Sequence, residues 1–470
     1  MKKRYGYSIA KKVGSCILIL TMALFALSCA TKSSAYKLVD AAVEDNDFAR
    51  AVEVIEESQE GKKPIYPEKN AIMLYLDKGY LEHYAGNYSG SSQDLQEAER
   101  LIEEAFTKSV SADVASYVAN DNTKDYAGED FEDIYLNVFN ALNYYKQNNT
   151  EGAMVEIRKL TNTSGKLDML ARKYEGAGKS AGEWVMDQLA KIGFKLTDSL
   201  PQGKSINYSN SALARYLAAI FYLKDGNTDG ARIEFNQLEA AFASNSTVYY
   251  NPIPSSIAQD RSIPAGMGRV SVLAFAGLSP IKEEGLFTQN WGFMSTPELQ
   301  KPTFKLPVFI ERDQFQGRDK ETKRLANSYD IEVTIGNETF KLQLLEDMGA
   351  VVHEVFNAKF SNMFLKTYIR VLLKYASADI AYRVAVDQGT SPMVARLAVF
   401  AMQKGLDATE GADIRMGRYL PNSAYIGGVN LAPGNYDVSV KFKSGTEVKS
   451  NVEVKAGTVN LVDAFCLKQF

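Results

Sequence analysis

Hydrophobic positions in the first half of the chain recur at helical spacing, in paired segments joined by short polar turns. Residues 35–60 carry apolar side chains on one face, on both sides of a break at Asn46-Asp47, and further apolar segments follow over 69–85 and 95–110. Apolar residues at i, i+3, i+4 and i+7 are typical of helices that bury one face. The pattern therefore predicts a series of helix hairpins.

One hairpin sequence occurs twice. Ala141–Leu160 (ALNYYKQNNTEGAMVEIRKL) and Ala219–Leu238 (AIFYLKDGNTDGARIEFNQL) share Ala, Tyr, Lys, Asn, Thr, Gly, Ala, Glu and Leu in register. We predict that Thr150 and Thr228 cap the second helix of each pair, because a Thr hydroxyl can accept the first free amides of a helix. Close helix crossing needs small residues beside large ones, and the predicted packing positions are Gly79, Ala98, Ala141, Tyr144, Ala153, Ala219, Tyr222 and Ala231.

These pairs resemble tetratricopeptide repeats with irregular spacing. A regular array of that type repeats every ~34 residues, whereas the alanines of the second helices lie at unequal intervals, at Ala51, Ala98, Ala153 and Ala231. The irregularity predicts a degenerate array with insertions. A generic helix bundle with coincidental spacing is the alternative. Most tyrosines on these helices are expected in the core, and a minority in a peptide-binding groove; they are Tyr75, Tyr80, Tyr84, Tyr144, Tyr145, Tyr216 and Tyr222.

The pattern changes near Tyr249, where strand-like segments begin. Arg269–Ala276 (RVSVLAFA) predicts a buried strand, Asp330–Leu345 a hairpin, and Tyr436–Phe442 an alternating strand, while 346–385 is helical. The predicted fold class is mainly α: degenerate tetratricopeptide-like helical repeats in the N-terminal half, a mixed α/β middle and a small C-terminal antiparallel β module. The predicted divisions are 1–28 (signal peptide), 29–248 (helical repeat domain), 249–345 (mixed α/β region), 346–411 (helical segment) and 412–470 (β-sandwich-like module).

The N-terminus predicts export and a lipid anchor. A basic start, MKKRYGYSIAKK, precedes the apolar run Val13–Leu27, which at about fifteen residues is shorter than the ~20 of a spanning helix. Ala26-Leu27-Ser28-Cys29 resembles a bacterial lipobox, with Ala26 where Leu is usual. The resemblance implies that Cys29 receives a diacylglyceryl group and becomes the mature N-terminus. An ordinary cleaved signal with a chance cysteine is the alternative.

Charge and cysteine content fit an acidic exported body. The chain has net charge −4, and removal of five N-terminal cations gives −4 − 5 = −9. Such a body has no basic excess that calls for nucleic acid, and its contact with the membrane is assigned to the acyl chains. Of three cysteines, Cys16 leaves with the signal and Cys29 is acylated. Cys466 then stands alone, so no internal disulfide is expected.

Four short motifs resemble catalytic or metal sites but each lacks an essential part. Gly176–Ser180 lacks the first glycine of a phosphate loop, and Gly178–Gly182 fits a hydrolase elbow without the preceding strand. His353–Asn357 lacks the second histidine of a zinc-protease helix. Asp121–Glu132 has acids at four calcium-loop positions but no central glycine, and its cation binding is left open. We predict no catalytic, cofactor or metal residue, and no enzyme.

Several longer stretches resemble a family of uncharacterised tetratricopeptide-like bacterial lipoproteins. They are YPEKNAIMLYLDKGYLEHYAGNY, the Ala141–Leu160 unit, RVSVLAFAGLSPIKEE and ADIRMGRYLPNSAYIGGVNLAPGNYDVSV, spread over most of the mature chain. The resemblance implies this architecture and an envelope location, and it implies no activity. A looser likeness exists to lipoproteins that activate penicillin-binding proteins.

The functional hypothesis is a non-enzymatic, lipid-anchored cell-envelope protein that acts as a protein–protein interaction scaffold. Its expected partners are envelope proteins bound through the helical repeats, with the membrane reached through Cys29 and no nucleic acid. The expected location is the periplasmic face of the outer membrane, if the bacterium has one. The alternative is a lipoprotein that regulates a peptidoglycan synthase. Partner identity and oligomeric state are left open.

Overall fold

A computed structural model of the chain describes residues 36–109, 124–162, 164–174, 206, 208–312, 317–322, 324–326 and 329–468. The helices there are α1 (36–44), α2 (Phe48–Gln59), α3 (Ala71–Tyr84), α4 (Tyr88–Ser109), α5 (Asp130–Lys146), α6 (Thr150–Thr161), α7 (Lys166–Tyr174), α8 (Ala212–Lys224), α9 (Thr228–Ser244), α10 (Ser256–Asp260), α11 (Met348–Asp387) and α12 (Pro392–Thr409). The strands are β1 (Gly268–Leu278), β2 (Ile281–Thr288), β3 (Thr303–Ile310), β4 (Glu332–Ile335), β5 (Glu338–Lys341), β6 (Gln343–Glu346), β7 (Pro421–Leu431), β8 (Gly434–Lys441), β9 (Glu447–Val454) and β10 (Val459–Cys466).

The predicted fold class, mainly α with a separate C-terminal β module, is wrong. Helices make up 50% and strands 20% of the described residues, and these strands form three small sheets. Two four-stranded sheets, with orders β10-β1-β7-β6 and β5-β4-β8-β9, each combine strands from the middle and the end of the chain; β2 and β3 form a separate ribbon. The last strand runs parallel to β1, pairing Arg269 with Val459 and Ala276 with Cys466. Alternating residues predict a strand, but its partner depends on contacts between distant residues.

The sheet β10-β1-β7-β6 lies between the helices and the second sheet. On β1, Val270, Val272 and Ala274 belong to the core shared with the second sheet. Leu273 and Phe275, which point the other way, pack with the helices. Because successive strand residues face opposite sides, the burial of every residue of β1 is what a middle layer requires. The described chain is therefore built as helices, sheet and sheet.

Four helix pairs share one type of turn. In each, a residue with left-handed backbone precedes an Asp or Asn, in the pairs Asn46-Asp47, Gly86-Asn87, Asn148-Asn149 and Gly226-Asn227. The second residue's amide donates to the carbonyl five positions earlier, namely Ala42, Glu82, Tyr144 and Tyr222. Its side chain accepts an amide three positions later, from Arg50, Gly90, Gly152 and Gly230, at 2.8–3.2 Å. This turn closes one helix and caps the next.

The predicted caps Thr150 and Thr228 are wrong by one residue. Both are the first residues of their helices, and the N-caps are Asn149 and Asn227. The left-handed residue before each asparagine places the asparagine, rather than the threonine, at the non-helical cap position. The sequence predicted a turn between the two helices of each pair. Which residue caps the second helix depends on this backbone conformation.

We expect Asn149→Ala and Asn227→Ala each to lower the free energy of unfolding by about 1 kcal/mol, because each leaves a first-turn amide without its acceptor. Thr150→Ala and Thr228→Ala serve as matched controls with little change. Urea unfolding of the full chain measures all four. An equal loss from the threonine variants would contradict the cap assignment.

The predicted repeat-packing residues are all buried or half-buried. Ala98, Ala141, Ala153 and Ala219 are completely buried, and Ala231 is almost so. At Gly79 an added Cβ would come within 2.8 Å of a Leu95 methyl carbon, so α3 and α4 pack too closely there for any larger residue. Tyr144 and Tyr222 are half-buried, and each lays its ring against a glycine of the following helix, Gly152 and Gly230 respectively.

Candidate interaction surfaces

The face of the helices that turns toward the sheet is filled by the chain itself. Phe139 of α5 packs against Phe275 of β1 with ring centroids 5.1 Å apart, and His83 of α3 packs against Phe465 of β10 at 5.2 Å. Of the helix tyrosines, Tyr80, Tyr84, Tyr145 and Tyr216 are buried, whereas Tyr75, Tyr144 and Tyr222 are half-buried. This face therefore offers no free groove at its contact with the sheet.

An extended segment of the chain, residues 412–420, crosses the helices and is here called the strap. The strap's backbone amides donate to buried carboxylates: Gly417 to Glu132 of α5, and Arg418 and Tyr419 to Asp77 of α3. In return, the Tyr84 hydroxyl donates to the Tyr419 carbonyl at 2.9 Å. The helices thus bind an extended backbone through hydrogen bonds, as helical repeats commonly bind peptides. Here the bound segment belongs to the same chain.

Burial changes the ionisation of the groups that hold the strap. Burial raises the pKa of Asp77 to about 6, against the opposing hydrogen bond from Tyr66. Burial also raises the pKa of Glu132 to about 7, and the nearby charge of Glu129 adds to the rise. Arg312 donates to the Arg418 carbonyl, and burial lowers the pKa of its guanidinium to about 10. Both carboxyls therefore titrate near neutral pH.

A third buried carboxylate joins the helices to the sheet. Glu346, at the end of β6, accepts hydrogen bonds from three tyrosine hydroxyls, a serine hydroxyl and a backbone amide, namely Tyr135 (2.9 Å), Tyr208 (3.0 Å), Tyr249 (2.7 Å), Ser211 and the Leu213 N–H (3.1 Å). The next residue, Asp347, caps α11 and pairs with Arg318. All five donors to Glu346 are neutral, and the carboxylate is completely buried. This geometry suits a structural junction.

His83, one of the chain's two histidines, lies between two buried polar side chains. Its Nδ1 is 2.6 Å from the Asn143 side-chain oxygen, and its Nε2 is 3.7 Å from Asp463. Burial would raise the pKa of Asp463, but Lys146 and His83 lower it to about 2. The imidazole is 1% exposed and ringed by aromatic side chains. This environment holds a charge network together and leaves no access for a substrate.

His353 also has a partner within the protein. On α11 its Nε2 lies 2.7 Å from a Glu311 carboxylate oxygen, and its ring packs edge-on against Phe309. The adjacent Glu354 accepts hydrogen bonds from the Tyr208 amide and the Asn245 side chain. The two residues of the zinc-protease-like motif thus point to different partners.

Only part of the calcium-like stretch Asp121–Glu132 is described, since 121–123 lie outside the described residues. Glu129 pairs with Lys282 and Lys359, and Glu132 accepts the Tyr126 hydroxyl at 2.7 Å. Across the described ranges, no group of three or more His, Cys, Asp or Glu is placed to hold a metal ion. Cys29 and Gly176–Gly182 also lie outside the described residues.

Among the described helices and strands, α12 exposes the most large apolar side chains, and most of them lie on its outer side. This helix packs on α11 through hydrogen bonds such as Tyr375 to Asp407 (2.7 Å) and Arg370 to Glu410 (2.9 Å). Within α12 the buried residues are confined to that side. The opposite side exposes large apolar residues: Met393 (75%), Leu397 (63%), Val394 (57%) and Phe400 (47%).

The sequence carries a signal for this surface. Within the predicted helical segment 346–411, the apolar residues of Met393–Lys404 run around nearly the whole circumference of a helix. A helix of that kind is normally covered on more than one side. The structure shows cover on one side only, which makes the other side the strongest candidate for contact with another molecule.

Comparison with known proteins does not add a relative. No family model matches the chain, and no curated protein or solved structure matches it either. Among the described helices, none combines the length and the apolar character that crossing a membrane requires.

Proposed function

We propose that this protein is a non-enzymatic, lipid-anchored component of the bacterial cell envelope that acts as a protein–protein interaction scaffold. The observation that carries the proposal is the exposed apolar side of α12, the helix that exposes more large apolar side chains than any other described element of this acidic chain. Contiguous apolar surface on a globular protein commonly marks a contact with another molecule. The resemblance to tetratricopeptide-like lipoproteins supports the envelope location.

The contact surface of the scaffold differs from the one expected of helical repeats. The helix face beside the sheet is covered by β1, β10 and the strap. Partners therefore bind at the outside of the molecule, with α12 as the principal surface. The exposed turns within the helix pairs, such as Gly86-Asn87 and Gly226-Asn227, are additional candidate contacts.

The lipid anchor is tested by Cys29→Ala. We expect the variant to lose labelling by a fatty-acid analogue and to leave the membrane fraction, because Cys29 is the proposed acyl acceptor and the acidic body has little affinity for anionic lipid. Cys466→Ala is the matched control, since Cys466 is buried in β10; it should remain labelled. Continued labelling and membrane retention of Cys29→Ala would refute the anchor.

The scaffold role is tested by site-specific photo-crosslinking in intact envelopes. A crosslinker replacing half-exposed Met402, on the flank of α12 beside the Met393–Phe400 face, should capture envelope proteins, which mass spectrometry identifies, and one replacing similarly exposed Ile233 on α9 is the control. Recovery of peptidoglycan synthases alone would instead favour the regulator of those enzymes. A lack of any heterologous adduct, from α12 or from the connecting loops, would contradict the scaffold role.

A further inference from the structure

We propose that the outer face of α12 pairs with the same face of a second copy of this chain, giving a two-fold symmetric dimer. This inference rests on the proposed role as an interaction protein and names one of its partners. It starts from the composition of the face. The outward positions of α12 carry almost only apolar and small residues, namely Met393, Val394, Leu397, Ala398, Phe400, Ala401, Lys404, Gly405 and Ala408.

The spacing of the large residues suits packing against another helix. Met393, Leu397, Phe400 and Lys404 follow one another at intervals of four, three and four, which is the spacing of a helix–helix seam. Beside this ridge, the small side chains of α12 allow a second helix to approach closely. The row of large residues and the neighbouring row of small residues make the helix self-complementary. The large residues of each copy can pack against the small residues of the other.

The available area matches the needs of a modest dimer. Four large side chains exposed by about half to three quarters offer on the order of 100 Å² each, and with the alanines the face amounts to roughly 600 Å² per copy. Two copies would bury roughly 1,200 Å², the lower end of specific interfaces. The loop carrying half-exposed Phe293 extends this area, since Glu298 of that loop pairs with Arg396 of α12 at 2.6 Å.

The charge on the face selects the orientation. Lys404 is the only charged residue among these outward positions, and its ammonium lies 5.4 Å from the Phe400 ring centroid. In a parallel pair the two Lys404 side chains would meet, whereas an antiparallel pair places them at opposite ends. An antiparallel arrangement centred between Leu397 and Phe400 therefore buries the apolar residues and separates the charges.

A second copy fits this face better than a lipid surface does. Helices that lie in a membrane interface carry a polar face rich in Lys and Arg beside the apolar one. On α12, Arg396 is engaged by Glu298, which leaves Lys404 as the cation beside the apolar ridge. The side of α12 opposite the apolar residues is also occupied by α11, so it cannot face lipid headgroups.

The test measures the mass of the full chain in mild detergent by sedimentation. Wild type is expected to sediment as a dimer, and Leu397→Glu should raise the dimer dissociation constant by roughly a hundredfold, because two carboxylates would be buried without partners. Ile380→Glu, at a 62% exposed apolar position of α11, is the matched control and should remain dimeric. Circular dichroism verifies that both variants keep the wild-type melting temperature.

A wild-type monomer at the highest attainable concentration would overturn the dimer, as would an unchanged dissociation constant in Leu397→Glu. Binding of monomeric wild type to phosphatidylglycerol-containing vesicles, lost in Leu397→Glu, would assign the face to lipid and also overturn it. The scaffold role is judged separately. Crosslinks to other envelope proteins without a dimer would contradict the dimer and support the scaffold role. A dimer without any crosslink to another protein would contradict the scaffold role alone.

Discussion

Glu346→Ala is expected to lower the free energy of unfolding by about 4 kcal/mol, the largest effect of any single substitution considered for this protein. The substitution removes the shared acceptor of three tyrosine hydroxyls, one serine hydroxyl and one amide. A buried donor left without an acceptor costs about 1–3 kcal/mol, and water admitted to the new cavity would satisfy some of the five.

The cost is large compared with the margin that keeps the protein folded. Natural domains are stable by about 5–15 kcal/mol, so this variant should be close to unfolding at 37 °C. Glu346 connects β6 to α5 and α8. Its loss therefore weakens the contact between the sheet and the helices, and not a single element. We expect a lower urea midpoint and earlier protease cleavage in the helical half.

Two substitutions serve as controls for this prediction. Glu346→Gln keeps one acceptor oxygen and the side-chain volume, so its loss should be clearly smaller than that of Glu346→Ala. Glu338→Ala removes an exposed carboxylate from β5 and should change little. A Glu346→Ala protein with wild-type stability would show that the tyrosine cluster contributes little to holding the layers together.

The second large effect concerns pH and the two carboxyls that hold the strap. The folded-state pKa values of Asp77 (about 6) and Glu132 (about 7) exceed the ordinary values of 3.8 and 4.5. Between about pH 4 and pH 7 the folded protein thus binds more protons than the unfolded chain, and stability falls as pH rises. Integrated over the window, each group accounts for up to about 3 kcal/mol.

Two other buried acids act in the opposite direction at lower pH. Asp463 and Glu129 have pKa values lowered to about 2, because Lys146 and His83 in the first case, and Lys282 and Lys359 in the second, outweigh the effect of burial. Their contribution is present above about pH 4.5 and is lost as pH falls toward 2. The free energy of unfolding should therefore be greatest near pH 4.5–5 and smaller at pH 7.5.

Asp77→Asn should flatten the neutral side of this profile. The amide oxygen can still accept the Arg418 and Tyr419 amides, and the amide nitrogen can donate to the Tyr66 hydroxyl oxygen. Relative to wild type, the variant should gain about 2–3 kcal/mol at pH 7.5 compared with pH 4.5. Urea unfolding at both pH values measures the difference, with exposed Asp229→Asn as control. A parallel profile for Asp77→Asn and wild type would exclude Asp77 as a cause of the pH dependence.

The strap gives this pH dependence a structural consequence. Residues 412–420 connect α12, which carries the proposed interaction face, to β7 in the central sheet. Asp77 and Glu132 hold the strap on α3 and α5. A change in the protonation of Asp77 or Glu132 therefore acts on the strap, the segment that joins α11 and α12 to the central sheet.

Local sequence was sufficient to predict many individual elements. Period-3.6 and period-2 patterns located the paired helices, β1, the β4–β5 hairpin around Gly336-Asn337, and the helical segments that became α11 and α12. The small residues at helix contacts were also readable, since Gly79 leaves no room for a Cβ beside Leu95. These features depend on residues that are near one another in the chain.

Only the tertiary structure decided how these elements combine. The pairing of β10 with β1, the burial of Glu346 among three tyrosines and the strap on Asp77 each join residues far apart in sequence, and no local pattern names such partners. The same applies to α12: its apolar residues predicted a helix, but the side left uncovered depended on where α11 lies. Residue periodicity thus determined the helices and strands, and long-range packing determined which surfaces remain for function.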